Sequence, residues 1–459
     1  MYKIDFKYPV HVHFIGIGGI SMSGLAEILL REKFTISGSD AKESALTVHL
    51  EKLGAAVFYG QKASNIIEGI DVVVYTAAIH EDNEEYQAAV KKGLPMLSRA
   101  ELLGQLMTNY DMPIAISGTH GKTTTTSMLS HILLAQNMDP TISVGGILKA
   151  IGGNIRVGKS ELFVTEACEY TNSFLHFFPK ISVILNIDED HLDFFKDLND
   201  IRNSFHRFAK LLPKDGALVI NGDIPDLEDL TEGLDCQIIR YGKDDSMEYR
   251  ASNISHNDRG EVSFDLIKSG EFAARIFLSV NGEHNVSNAL AAIAVADFLN
   301  VPIQAIKTGL KEFHGTNRRF EYKGEVNGIT IVDDYAHHPT EIAASLAAAV
   351  HYPHREIWCI FQPHTYTRTK ALFGEFVDAL THAGHIIMAD IYAAREQDNL
   401  GISSKDIADA LKERGCDAYY FSTFREIEQF CLEKCRNGDL LITMGAGDVV
   451  NIGEDLLNI

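Results

Sequence analysis

No stretch of the 459-residue sequence approaches the apolar length of a membrane span, and none is of low complexity or repeats at a solenoid period. These absences argue against a helical membrane protein and against a repeat array. Basic residues are scarce too. The 41 Lys and Arg face 63 Asp and Glu, for a formal net charge of −22, and the acid is spread along the chain. A broad nucleic-acid surface needs a basic stripe to replace released counterions, so no nucleic-acid partner is expected; a small basic pocket for an anion stays open. The six cysteines (Cys168, Cys236, Cys359, Cys416, Cys431, Cys435) form no C-x-x-C pair and match no zinc spacing, which predicts reduced, mostly buried thiols. The opening "MYKIDFKYPVHVHFIG" lacks the apolar core of a signal peptide, so a cytoplasmic protein without a membrane partner is expected. No Ser-His-Asp elbow or reactive Cys-His pair is recognisable as a source of a protein nucleophile.

Apolar residues make up 46% and charged residues 23%, the proportions of a folded globular protein. The length exceeds what one core serves, so two or three domains are expected. Short β-rich runs alternate with amphipathic helical patterns, which predicts an α/β protein with largely parallel sheets. Three blocks divide the chain at 1–108, 109–316 and 317–459. The first boundary is drawn at "MTNYDMP", where polar residues and Pro113 read as a linker, and the second near "HGTNRRFEY". Within the first block, "VHVHFIGIGGISMSGLAEILL" reads as strand, glycine turn and helix, with Met22, Leu25, Ala26 and Leu29 forming a buried stripe. The second block holds a β-rich patch from Ala217 to Val280 and a helix in "NVSNALAAIAVADFL".

The phrase "PIAISGTHGKTTTTSML", residues 113–129, carries the most chemistry. An apolar run leads into "GTHGKTT", comprising Gly118, Thr119, His120, Gly121, Lys122, Thr123 and Thr124, and a helix follows with Met128, Leu129, Ile132 and Leu133 on its buried face. Backbone N–H groups at such a turn bind a polyphosphate, and lysine adds a mobile positive charge. The turn departs from the usual phosphate loop, because Ile116 stands where an earlier glycine is usual. The threonines belong in the first helical turn, where hydroxyls meet free N–H groups or a metal.

"GIGGIS", with Gly16, Gly18 and Gly19, has two of three Rossmann glycines, and Asp40 follows a second strand as a ribose-binding acid would. Alone, this fits a nicotinamide dinucleotide, another nucleotide or a tight helix–strand contact. In "VTEACEY" and "NIDEDHLDFF", acids and a histidine stand at strand ends. Thr123 and Glu166 offer oxygen to Mg²⁺, whereas His191 is a less typical ligand for that ion. "DDYAHHPTE" (Asp333 to Glu341) and "QPHTYTRT" (Gln362 to Thr369) cluster histidine, hydroxyl and charge, which predicts a binding face without naming its ligand.

These motifs in this order, together with "HNVSNALAAIAV", "RRFEYKG", "IYAARE" and "TMGAGD", resemble the Mur ligase family of ATP-dependent amino-acid-adding enzymes of bacterial cell-wall synthesis, over essentially the whole chain. The resemblance implies a Rossmann-like N-terminal domain for a UDP-sugar, a central P-loop ATPase domain and a Rossmann-like C-terminal domain that closes over the site. It implies ATP on Gly118 to Thr124, with Lys122 on the β/γ-phosphates, and Mg²⁺ or Mn²⁺ on Thr123, Glu166 and His191. His284, Asn288, Arg319, Asp333 and Asp334 would surround ATP. His337, His364 and Arg368 would face the other substrates, while Gly16, Gly18, Gly19, Asp40 and the turn Thr76, Ala77, Ala78 and Ile79 would serve UDP. Asn203 and Ser204 stand near the place where later-acting members carry a modified lysine, which favours the type that adds L-alanine to UDP-N-acetylmuramate. In that reaction the lactyl carboxylate becomes an acyl phosphate and the L-alanine amine displaces orthophosphate. The alternatives are a peptide-recycling ligase, a nucleotide-binding regulator without catalysis and, from the first glycine turn alone, a nicotinamide dehydrogenase. A monomer or a homodimer is expected.

Overall fold

The computed structural model describes residues 2–76, 78–394, 396–398 and 400–458. Ala77, one of the anticipated UDP residues, lies outside them. The first block forms β1 (His11–Ile15), β2 (Thr35–Asp40), β3 (Ala56–Tyr59), β4 (Val72–Tyr75) and β5 (Met96–Ser98), in the order β3-β2-β1-β4-β5, all parallel. The stripe Met22, Leu25, Ala26 and Leu29 is buried on the helix Ile20–Arg31, as its spacing predicts. Strand order reverses between β1 and β4, and ligands of open parallel sheets bind in the crevice outside such a point.

The interior of this sheet is not purely apolar. Fully buried His13 sets Nε2 2.6 Å from Glu85 Oε1 and Nδ1 2.8 Å from Ser37 Oγ. Ser39 Oγ donates to the other oxygen of Glu85 at 2.6 Å, while the Ser39 carbonyl accepts the N–H groups of Gly16 and Ile17 at 2.8 and 2.9 Å. A satisfied polar network thus reaches the backbone of the first glycine turn.

The central block opens on β6 (Met112–Ser117), β7 (Thr141–Leu148), β8 (Gly153–Arg156), β9 (Leu162–Glu166), β10 (Ile181–Ile184) and β11 (Ala217–Asn221), in the order β8-β7-β9-β6-β10-β11. Pro113 corrects the linker reading: it is the second residue of β6, which is flanked by β9 and β10. So near a strand start a missing N–H is tolerated, and the Pro113 carbonyl still accepts from Lys180 N–H at 2.8 Å. The β-rich patch continues with β12 (Gln237–Gly242), β13 (Tyr249–His256), β14 (Glu261–Lys268) and β15 (Glu271–Asn281), the last three an antiparallel meander.

The C-terminal block contains β16 (Glu321–Val326), β17 (Ile329–Asp334), β18 (Ile357–Phe361), β19 (His385–Met388), β20 (Asp417–Tyr420) and β21 (Leu440–Met444), in the order β16-β17-β21-β18-β19-β20. Only β16, at one edge, is antiparallel. All five residues of β18 and of β21 are buried, as a parallel strand covered on both faces requires. The fold is therefore α/β with mostly parallel sheets in three domains. By packing, the chain gathers into two compact units. One holds Met1–Gly118, Leu133–Asn186 and Arg202–Ile239; the other holds Thr119–Ile132, Ile187–Ile201 and Arg240–Ile459. Among the described residues no helix is long and apolar enough to cross a membrane, and all six cysteines are unbridged, with three of them buried.

Candidate active site

The first unit carries the first glycine turn and one acid of the anticipated metal set. Gly16 has φ +86°, and a Cβ there would lie 2.9 Å from Thr76 Cγ2, so the turns after β1 and β4 approach too closely for a side chain. Gly18 N–H donates to Asp40 Oδ2 at 2.8 Å. The Thr76 carbonyl accepts from Ile79 N–H at 3.0 Å, and its Oγ1 lies 3.5 Å from Ala78 N. Gly19, the N-cap of the following helix, has ordinary extended geometry. Ser21, standing where a third glycine is usual, has its Oγ 3.2 Å from Arg99 Nη1.

Gly118 ends the first segment of this unit, at the carboxyl end of β6. Its φ is +143°, and a Cβ would fall 2.8 Å from Leu185 Cβ, so only glycine lets the chain leave the strand this close to its neighbour. Glu166 ends β9 and lies in register with Ile116, beside the strand that feeds the turn. Its Oε1 accepts from Gly145 N–H at 2.5 Å.

The second unit begins one residue later. Gly121 has φ +85°, and the helix Lys122–Ala135 starts at the lysine, which places Thr123, Thr124 and Thr125 in its first turn. The Oγ1 atoms of Thr125 and Thr126 are buried without a hydrogen-bond partner. Lys122 Nζ donates to the Thr119 carbonyl at 3.0 Å. Thr119 Oγ1 accepts from Asp188 N–H at 2.9 Å. His120 lies between two acids, with Nε2 3.2 Å from Asp188 Oδ2 and Nδ1 3.1 Å from Glu341 Oε1. Burial opposes its charge, but these carboxylates push the imidazole up to about 9.

Glu341 gathers several anticipated residues. Its Oε1 lies 4.0 Å from Arg319 Nη1, and its Oε2 accepts from His337 N–H at 3.1 Å. Arg319 also stands 5.2 Å from the Tyr335 ring centroid, a cation–π contact. Burial pushes His337 and His284 each down to about 4, so both are neutral at pH 7. His284 opens the helix His284–Phe298, on which Asn288 Nδ2 donates to Asn285 Oδ1 at 3.0 Å.

From His337 the arrangement continues to His364, with ring centroids 5.9 Å apart, and on to Arg368, whose Nη1 is 3.3 Å from His364 Nδ1. Arg368 reaches Asp190, whose Oδ1 accepts from His191 N–H at 2.7 Å. The two anticipated nucleotide acids have partners within the C-terminal block. Asp333 binds Arg318 Nε at 3.0 Å and Thr443 Oγ1 at 2.7 Å, while Asp334 binds Ser345 Oγ and Ala336 N–H. Burial pushes Asp334 up to about 6.

Asp188, Asp190, His338 and Glu341 were not singled out in sequence, although all lie inside "NIDEDHLDFF" or "DDYAHHPTE". Glu341 stands three residues after His338, the N-cap of the helix Pro339–Val350, a spacing that reads as a cap and not as a site. Ligand atoms of His120, Asp188 and His338 lie within 4.8 Å of one another. Thr340 Oγ1 donates to Asp188 Oδ2 at 2.6 Å, so this cluster is already hydrogen-bonded internally.

Within the second unit the donors fit a polyphosphate: Gly121 at positive φ, Lys122, the threonine hydroxyls that follow it and, on the same helix, the buried hydroxyls of Thr125 and Thr126 without partners. Within the first unit, Glu166 offers the carboxylate oxygen that a hard cation takes.

Fold and sequence together define a three-domain α/β protein that carries a glycine-flanked turn ahead of a lysine-headed helix. The chain belongs to the Mur ligase family: residues 11–111 match its catalytic domain, 116–296 the Mur ligase middle domain and 318–447 the glutamate ligase domain. It is 61% identical to a UDP-N-acetylmuramate–L-alanine ligase of Agathobacter rectalis and 59% identical to one of Lachnospira eligens, in both cases over 100% of each chain. Among solved structures, UDP-N-acetylmuramate-alanine ligase from Thermotoga maritima superposes with a TM-score of 0.81 at 29% identity, over 98% of each chain. A murein peptide ligase from Psychrobacter arcticus gives 0.70 at 26% identity, again over 98% of each chain.

Proposed function

We infer that the protein is an ATP-dependent ligase joining L-alanine to the lactyl carboxylate of UDP-N-acetylmuramate, a step of peptidoglycan precursor synthesis. The observation that carries this reading is full-length identity of 59–61% to ligases of that name. Fold likeness alone does not choose the acceptor, because a peptide ligase shares the architecture.

In the proposed reaction an oxygen of the lactyl carboxylate attacks the γ-phosphorus of ATP, and ADP leaves. The amine of L-alanine then attacks the acyl carbon of the resulting acyl phosphate, losing a proton, and orthophosphate leaves with the C–O bond electrons. Lys122 and the N–H groups of the turn from Gly118 to Thr124 hold the phosphates in line, so positioning and charge stabilisation supply most of the catalysis. A divalent cation bound through Thr123, Glu166 and His191 would neutralise phosphate charge. His284, Asn288 and Arg319 line the nucleotide, and His337, His364 and Arg368 face acid and amine. The first glycine turn, Asp40 and the Thr76 turn bind UDP. The working domain boundaries are 1–108, 109–316 and 317–459, and the reaction takes place in the cytoplasm.

ADP release tests the reading. Release with UDP-N-acetylmuramate should require L-alanine for sustained turnover. Turnover with the cell-wall tripeptide instead of L-alanine would transfer the chain to the peptide-adding branch, and an absence of acceptor-dependent ADP release would refute ligation.

A further inference from the structure

We propose that Glu341 is a positioning residue for the phosphate-cradling turn and that it acts through His120. The inference deepens the ATP-dependent reading and rests on it. Glu341 divides its carboxylate between two tasks. Oε2 accepts from His337 N–H at 3.1 Å, which secures the start of the helix Pro339–Val350. Oε1 turns away from that helix to His120 Nδ1, 221 residues earlier, at 3.1 Å. A cap needs only the first.

The chemistry of His120 gives the second contact its weight. Both ring nitrogens face carboxylate oxygens, of Glu341 on one side and Asp188 on the other. A carboxylate only accepts, so both nitrogens must donate, and a ring with two N–H groups is an imidazolium. Both acids stand close enough to favour that charge, and charge-assisted bonds of this kind are stronger than neutral ones. His120 precedes Gly121, where φ is +85°. The preceding residue is fixed by the same loop, since Thr119 Oγ1 accepts from Asp188 N–H at 2.9 Å. Two consecutive residues of the turn are therefore pinned by side-chain contacts before any phosphate arrives, and preorganisation of this sort raises affinity by lowering the ordering cost of binding. Glu341 supplies the part of that constraint coming from the C-terminal sequence block.

The test uses the full chain and two substitutions. Glu341→Gln keeps an oxygen acceptor for His337 N–H while removing the charge opposite His120; His120→Gln removes the imidazolium. Calorimetry measures affinity for the magnesium complex of the β,γ-imido analogue of ATP and, separately, for UDP-N-acetylmuramate. Losing one charge-assisted contact should weaken analogue binding about tenfold in each single variant, with affinity for the UDP-sugar kept within about twofold. Because one residue acts through the other, the double variant should bind the analogue no more weakly than the weaker single variant. Unchanged analogue affinity in Glu341→Gln, multiplying losses in the double variant, or equal weakening of both ligands would each overturn the proposal. Where Glu341→Gln does not fold, the same proposal is read from His120→Gln, with unchanged analogue affinity overturning it. A wild-type chain that binds the analogue but releases no acceptor-dependent ADP would instead overturn the ligase reading.

Discussion

Arg368 donates from both Nε and Nη2 to a single oxygen of Asp190, at 3.1 and 2.8 Å, across 178 residues of sequence. Both side chains are largely buried. Removing one member of such a pair strands the other's charge. Arg368→Met is therefore expected to lower unfolding free energy by about 3–5 kcal/mol, measured by denaturant titration, as for other broken buried pairs. Arg368→Lys keeps the charge but loses the planar fork, and should show a smaller stability loss.

Lys122→Ala should reduce ligation by about 10²–10³-fold, the scale of losing one preorganised charge at a phosphoryl-transfer centre. UDP-N-acetylmuramate affinity should persist, because the residues proposed for it belong to a different domain. Steady-state ADP release and equilibrium binding of the UDP-sugar check the two halves separately.

Gly118→Ala tests the geometry of the turn. Its Cβ would enter 2.8 Å from Leu185 Cβ at a φ of +143°. Backbone strain of about 1–3 kcal/mol is expected, with analogue binding lost more severely than thermal stability, as calorimetry and a melting curve would show.

His120 gives a pH dependence with a defined sign. Burial lowers its proton affinity, but Asp188 and Glu341 outweigh burial and bring it up to about 9, above the roughly 6.5 of an unfolded histidine. The folded chain therefore holds this proton more tightly than the unfolded one. The resulting stabilisation is complete below about pH 6.5 and is lost as pH rises from there through about 9. Chemical denaturation between pH 6 and 10 should show a falling stability that is flatter in His120→Gln.

Within the N-terminal sheet, Glu85→Ala should cost about 3–5 kcal/mol of stability, because fully buried His13 and Ser39 lose their shared acceptor. Urea unfolding of the full chain measures it, read on the first transition.

The local signals were legible where one segment carries its own reason. The stripe on Ile20–Arg31, the glycine turns and the lysine-headed helix all follow from spacing and from the conformational needs of glycine. Pro113 reads as a linker because proline is a linker residue by composition, and nothing local reveals that β9 and β10 flank the strand it belongs to. Asp188 and Glu341 escaped for a related reason. Their significance lies in where His120 sits, which no periodicity encodes, and the nearest local sign at Glu341 was a helix cap. Asp333 adds contacts that its motif does not show, since its oxygens accept from Arg318 and Thr443.

The hydrogen-bonded interior beneath the first glycine turn also bears on how strands find their partners. His13 pairs with Ser37 across β1 and β2. A slip of one residue would swing the imidazole to the opposite face and take it away from Glu85 Oε1. An oily sheet centre can tolerate near-misses in alignment; this one penalises them heavily, so the five strands assemble in a single arrangement, with the glycine turn delivered to the same place each time the chain folds.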